Sequence, residues 1–594
     1  MAYESFYRGT PYTMEPTYGT FTGYRVPAGQ LGATTSIQTA NQVREVTNLL
    51  NQGIKNVELS TINAEVFEMI PDAHLKEINR LSKLTGSETS LHAPMIEPSG
   101  FTKDGWSEIE REASERHFKE VVERSHQLNP NGNIPITVHS SAVPGTEYVP
   151  VRDEKTGKMT EVPQRMIAVN RETGEMLPLV KEERFYPDEV SIGATHGKIY
   201  SPEEELGIAN RSYWDNKLSQ LIFYKERGDE LMDKSLPLFE GDKKGQLTDE
   251  QKTAMSNVMN NAMIYFKNTN MSLNSLFNQA YKLADGKGRE ALQLAADEYT
   301  KISEEAEKKK YHGKLGEYPA YYSKALQTLI NSMQQITGIK ELAPQVYEPI
   351  EKFVKDKAGD TFSNVALSAY KKFGMNAPVI SIENPPYGTA ISTAQDLKDL
   401  IEVARQRFVE KARQQGISES DAKNAAEKLI GATWDTSHIS MMRKQGFGGE
   451  RLVEEAKTIA PFVKHVHLND NFGSTHTDLP PGMGSVPMKE VLQELENAGF
   501  KGKKVFEGGN FFQNFQMSPH PYVLEGVGSP IYSMMNAPYW NQTSGFQAGY
   551  FSGFGTYLPE QHFSMYGAGF SGLPSELGGQ AAGRQQRISG TPME

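Results

Sequence analysis

Eight short apolar runs, four near the front of the chain and four well behind them, alternate with amphipathic stretches long enough to be helices. LGATTSI (31–37), NVELS (56–60), TSLHAP (89–94) and PITVHSS (135–141) read as strands. NQVREVTNLLNQG (41–53), AHLKEINRLSKLTG (73–86) and SEIEREASERHFKEVVERSHQLN (107–129) read as the helices that follow the first three. The rhythm resumes with the strands APVISIENPP (377–386), IGATWDTSH (430–438), VKHVHLND (463–470) and KKVFEGG (503–509), separated by helical stretches at 394–416, 448–461 and 487–499. Strands joined through helical segments of this length form βαβ units and a parallel sheet. Eight such units predict an α/β fold of the (β/α)8 TIM-barrel type, with functional residues at the C-terminal ends of the strands.

The barrel is interrupted. Residues 31–145 supply its first half and residues 375–538 its second, so residues 146–374 form an insertion after strand four. Two turn signals, Glu154-Lys155-Thr156-Gly157 and Arg171-Glu172-Thr173-Gly174, are flanked by Val, Met or Ile and predict β-hairpins. From Ser201 to Lys372 the pattern turns helical, and part of this stretch must replace the fourth barrel helix. Residues 1–30 read as an extended N-terminal arm, and residues 539–594, rich in Gly and aromatics and poor in charge, as a low-complexity tail.

Composition narrows the chemistry. With no cysteine, disulfides, thiolate metal sites and thiol nucleophiles are excluded together, so any metal must be held by His, Asp and Glu. A net charge of −12 argues against a broad basic surface for nucleic acid. No apolar run approaches the roughly 18 to 20 residues needed to span a bilayer, and the N-terminus lacks a basic segment followed by an apolar one. These features point to a cytoplasmic protein with no membrane partner.

The polar residues fall where a barrel would use them. His92 closes strand three, His139 strand four and Glu383 strand five; Asp435 and His438 close strand six, His467 strand seven and Glu507 strand eight. His476 and Asp478 follow in the loop after strand seven. Singly, each has a structural reading, such as Asp435 acting as a helix N-cap. Together they are costly to bury unless a cation is present, and the mixture of imidazole and carboxylate suits Zn²⁺ or Mn²⁺. His465, two residues before His467, shares its face one layer deeper and reads as support for the site or the fold.

The segments SLHAP, TVHSS, ISIENPP, TWDTSHIS, HVHLNDNFG, DLPPGMGSVP and VFEGG resemble the xylose isomerase-like superfamily, which includes the endonuclease IV family and sugar isomerases and epimerases. The resemblance covers strands three to eight and leaves out the insertion and both tails. It implies that Glu383, Asp435, His467 and Glu507 bind one shared metal. The endonuclease IV pattern adds His92 and His139, sharing Glu383 with a second metal, and His438 with a loop pair, here His476 and Asp478, for a third. One to three divalent ions are thus implied. The loop pair stands in the order His-x-Asp, reversed from that family, and PPGMGSVP resembles isomerase members.

Three functions follow from the resemblance. One is hydrolysis of a phosphodiester at an abasic-type sugar-phosphate site, with Glu383 bridging cations and Glu507 or Asp435 orienting the nucleophile; DNA as the substrate is not favoured by the net charge. The second is isomerisation or epimerisation of a sugar or sugar phosphate, with Glu383 and Glu507 exchanging a proton and His438 and His92 contacting substrate. The third is a non-catalytic, metal-stabilised scaffold that self-assembles through the insertion and aromatic tails.

Overall fold

The computed structural model describes residues 26–51, 53–152, 159–185, 197–235, 248–312 and 317–508, together with Thr22, Tyr24, Pro519, Tyr522, Val523, Gly526 and Val527. The N-terminal arm up to residue 21, the turn signal at 154–157 and the tail at 539–594 lie outside the described residues.

Eight parallel strands close into a barrel in the order β1-β8-β7-β6-β5-β4-β3-β2. They are β1 (Leu31–Thr34), β2 (Asn56–Ser60), β3 (Glu88–His92), β4 (Pro135–His139), β5 (Val379–Glu383), β6 (Ile430–Asp435), β7 (Val463–His467) and β8 (Lys504–Phe506). Most are shorter than the apolar pattern predicts, because the chain turns away at the polar residue that ends each run. After Asp435, for example, the backbone enters a short helix, Thr436–Ser440, whose first amides are capped by the Asp435 carboxylate. Between strands run α1 (Gln42–Asn51), α2 (Asp72–Thr85), α3 (Glu108–Ser125), α4 (Ile350–Phe373), α5 (Ala394–Gln414), α6 (Gly449–Ile459) and α7 (Met488–Asn497). The helix α2 stops where Gly86 takes a left-handed φ of 64° and its amide bonds back to the Ser82 carbonyl.

In the barrel, two helices and a strand pair escape the sequence reading. A short helix, Ala64–Met69, is capped by the Asn63 side chain; a second helix, Glu419–Leu429, follows α5 and is capped by Ser418; and Phe101–Thr102 pairs with Gly105–Trp106. All are brief, and each rests on a local cap or turn more than on apolar periodicity.

The fourth barrel helix is α4, at the far end of the insertion. It packs on α3 and α5 and buries Phe353, Val354, Phe362, Val365 and Ala366. Arg111 of α3 donates to Thr361 at 3.1 Å, and Lys411 of α5 to Asp360 at 3.0 Å. At the near end, the chain leaving β4 runs along the loop after β5: Gly145 N donates to the Gly388 carbonyl at 2.9 Å and Ala390 N to the Val143 carbonyl at 2.8 Å.

Residues Gln164–Pro349 form a second compact unit. Its sheet is built on Met159–Asn170, paired antiparallel with Met176–Val180 and Tyr347–Pro349. The signal Arg171-Glu172-Thr173-Gly174 makes the hairpin between Met159–Asn170 and Met176–Val180, with Gly174 at φ 73° and the Asn170 side chain accepting from the amides of Glu172 and Thr173. Four helices follow, Pro202–Lys234, Asp249–Leu283, Gly286–His312 and Glu317–Gly338. The first two begin with capping boxes, Ser201 with Glu204 and Thr248 with Gln251. Trp214, Phe266, Leu273, Leu326, Ile330 and Met333 lie in their shared core. Among the described residues no helix is long and apolar enough to cross a membrane.

The barrel interior departs from the usual filling of branched aliphatic side chains. On β2, Asn56, Glu58 and Ser60 alternate with Val57 and Leu59, and all five are buried. The hydroxyls of Thr137 on β4 and Thr433 on β6 lie 3.0 Å apart, and Thr433 donates to Ser381 on β5 at 2.8 Å. A polar layer thus underlies the strand ends.

Candidate metal centre

The strand ends bring the nine predicted residues into one connected cluster. His467 Nδ1 lies 2.6 Å from Glu383 Oε1, 3.2 Å from Glu507 Oε2 and 4.0 Å from Asp435 Oδ2. His92 Nε2 stands 3.4 Å from Glu383 Oε2 and 3.7 Å from Glu507 Oε1. His139 Nε2 lies 3.5 Å from the same Glu383 oxygen. On the far side His438 Nδ1 is 4.0 Å from Glu383 Oε1, while its Nε2 meets His476 Nε2 at 2.9 Å. His476 Nε2 is in turn 3.3 Å from Asp478 Oδ1.

Register and loops set these positions. Pairing places Glu383 beside His139 and Asp435 beside His467, while a register shift between Ala432 and Thr433 sets Thr433 against His465. Asp435 Oδ1 accepts from the amides of Ser437 at 2.6 Å and His438 at 2.9 Å, so the N-cap reading of this residue holds for one oxygen. Its other oxygen accepts from the Asn469 side chain at 2.7 Å, and Asn469 also accepts from the Glu507 amide at 2.9 Å. The loop after β7 folds round Asp470, whose carboxylate accepts from the amides of Asn471, Gly482 and Val486 at 2.8, 2.7 and 3.0 Å. Beyond β4, the half-buried Glu97 accepts from the Ser141 hydroxyl and the Ala142 amide, each at 3.0 Å, and so fixes the chain just past His139.

Electrostatics follow from burial and from partners. Burial alone would raise the Glu383 carboxyl, but attraction to His467 and His139 and the hydrogen bond from His467 hold it well below the usual range. Burial opposes charge on His467 as well, yet Glu507, Glu383 and Glu58 push it well above its ordinary value. Desolvation would lower His92, but the nearby Glu383 and Glu507 carboxylates push it up to about 9. His139 goes the other way, to about 3, because desolvation outweighs the pull of Glu383. The hydrogen bond to Asp478 lifts His476 to about 9 against burial. In the chain by itself, protons on His92 and His467 therefore balance the buried carboxylates.

One atom is left over. Glu383 Oε2 is buried and has no hydrogen-bond partner, although two imidazoles face it. An uncompensated carboxylate oxygen costs free energy wherever water is excluded. His92, Glu383, His467 and Glu507 offer ligand atoms within 4.8 Å of one another, as do Glu383, Asp435 and His438. Imidazole and carboxylate donors gathered around such an oxygen fit a divalent cation.

Sequence reasoning missed Glu58. Its carboxylate, fully buried on β2, accepts from His467 Nε2 at 2.9 Å, His465 Nε2 at 2.8 Å and the Ser90 hydroxyl at 2.7 Å. Burial would raise this group, but the two histidines hold it well below the usual carboxylate range. The alternation of Asn56, Glu58 and Ser60 with apolar neighbours in NVELS was the available signal.

Residues 382–516, from the end of β5 past β8, match the family model described as xylose isomerase-like TIM barrel. The chain is similar in structure to a protein described as "Crystal structure of D-tagatose 3-epimerase-like protein", with TM-score 0.35 and 11% identity, over 84% of this chain and 99% of that one. No curated protein matches. The second half of the eight-strand parallel barrel thus carries the sequence pattern of the xylose isomerase-like TIM-barrel family.

Proposed function

We propose that the chain is a divalent-metal-dependent phosphodiester hydrolase acting on a sugar-phosphate-type substrate, in the manner of endonuclease IV relatives. The observation that carries this reading is the unpartnered Glu383 Oε2 between His92 Nε2 at 3.4 Å and His139 Nε2 at 3.5 Å. A single-cation site would not use both imidazoles as ligands. Glu383, Asp435, His467 and Glu507 would hold one cation, and His92 and His139 a second that shares Glu383. His438, His476 and Asp478 would hold a third. Bound there, Zn²⁺ or Mn²⁺ supplies Lewis-acid stabilisation of a phosphoryl oxygen and lowers the pKa of water. Glu507, whose side chain is the more open at 16% exposed, orients the attacking water. Asn469 holds Asp435 and the Glu507 backbone together, so the two acids keep a fixed spacing.

A competing reading is the single-metal sugar isomerase or epimerase, with Glu383 and Glu507 exchanging a substrate proton. Among the described residues no Lys or Arg pairs with a carboxylate of the cluster, which suits a substrate of low charge.

Metal counting with two assays separates the readings. The expected result is two or three ions per chain in the loaded protein and cleavage of a phosphodiester such as an abasic-site oligonucleotide. His139→Ala and His92→Ala should each lower the count by about one ion and abolish most of that cleavage. A full complement retained by both variants, with turnover of a ketose or ketose phosphate, would replace the hydrolase with the isomerase.

A further inference from the structure

Four histidines at the strand ends surround the carboxylates, and two of them, His92 and His139, present Nε2 to Glu383. His438 turns Nε2 toward His476. The Nδ1 atoms of His92 and His438 are taken by the carbonyls of Ala93 at 3.0 Å and Asn384 at 2.8 Å. His467 is reversed: Nδ1 points at Glu383 and Glu507, and Nε2 at Glu58 Oε1, 2.9 Å away.

Glu58 is itself held firmly. Its second oxygen takes hydrogen bonds from His465 Nε2 at 2.8 Å and from Ser90 at 2.7 Å, and Glu58, His465 and His467 are all at most 3% exposed. Resting on the reading of the cluster as a cation site, we propose that Glu58 is the positioning residue of that site. By accepting the Nε2 hydrogen of His467 it fixes the ring and its tautomer, so that Nδ1 is the atom offered to the cation. His465 and Ser90 keep the carboxylate from turning.

The chemistry explains why a carboxylate stands here. An ionised carboxylate only accepts, so both imidazoles must carry hydrogen on Nε2. A carboxamide has one accepting oxygen and one donating nitrogen, so Glu58→Gln would satisfy one histidine and oppose the other. If His467 yields, its proton moves to Nδ1 and blocks the ligand atom. Outer partners of metal-binding histidines act in this way and typically govern affinity by 10- to 100-fold.

The test uses the full chain, stripped of metal and titrated with Co²⁺ while its d–d absorption is followed. Glu58→Gln should bind the tightest Co²⁺ about 10- to 100-fold more weakly than wild type, with the same number of ions at saturation. Unchanged affinity would overturn the proposal, and so would a count lower by one, which would make Glu58 a ligand. Should the variant fail to fold, wild type decides: with ¹⁵N-labelled histidine and bound zinc, one ring should show a metal-bound Nδ1 and a protonated Nε2. Rings bound through Nε2 throughout would overturn the proposal. Wild type that takes up no cation would remove the cation reading, and with it this inference.

Discussion

The rings of His438 and His476 meet nitrogen to nitrogen, Nε2 to Nε2, at 2.9 Å. With His438 Nδ1 committed to the Asn384 carbonyl, this nitrogen is the only one His438 has to offer. A shared proton or a shared cation can sit between the rings, and Asp478 at 3.3 Å from His476 suits either. His476→Ala should therefore lower the zinc count at saturation by about one ion while the tightest-bound ion stays in place. Elemental analysis after dialysis reads this directly. An unchanged count would leave the pair as a hydrogen bond within the loop.

Stripped of metal, the protein should lose stability as the medium turns alkaline. The folded value of His92 is about 9, against about 6.5 for a free imidazole, so its contribution is complete below pH 6.5 and lost as pH rises through 9. The contribution is on the order of 3 kcal/mol. Melting temperatures in chelator at pH 6 and pH 9 should fall further for wild type than for His92→Gln. Equal falls would show that His92 does not carry the charge. With zinc present the trend should reverse, since ligand imidazoles bind the ion only when deprotonated.

Arg451 ties the start of the insertion to the barrel. It pairs with Glu161 at 2.8 Å and with Glu455, 2% exposed, at 2.7 Å. Arg451→Ala removes the charged partner of the buried Glu455 carboxylate, leaving it the Ala394 amide, and should cost about 1–3 kcal/mol. Glu161→Ala removes a 41% exposed partner and should cost under about 1 kcal/mol. Denaturant unfolding compares the two, and equal costs would contradict this ranking.

At Gly484 an added methyl group would overlap Asp470 Oδ1 and the Asn471 backbone. Gly484→Ala should then shift the loop after β7 and weaken binding at His476 and Asp478 first. Zinc titration should show the weakest site lost and the tightest kept. Loss of the tightest site instead would mean that the loop also holds the His467 cluster.

The barrel was legible because the strands kept short apolar runs and most of them ended on a polar residue, as His92 and Glu383 do. The cluster was legible for the same reason, since strand ends in a closed barrel face one point. Glu58 was not, because what it serves lies more than four hundred residues later: His465 is 407 positions away and His467 409. Nothing local distinguishes an inward carboxylate on β2 from a strand-edge residue until closure brings β7 across. The helix Glu419–Leu429 was missed for a different cause, its start being set by one serine cap and its apolar face being mostly alanine.

The placement of the insertion sets a problem for the newborn chain. β4 pairs with β5 from Pro135 against Val379 to His139 against Glu383, partners separated by 379 − 135 = 244 residues. At roughly 5–20 residues per second on the ribosome, β4 waits on the order of 10–50 s with one edge open. Glu58, His92 and His139 are then already made, while Glu383, Asp435, His465, His467 and Glu507 do not yet exist. The Glu58 carboxylate must stay in water until β7 emerges with its two histidines, so the half-barrel cannot bury this face early.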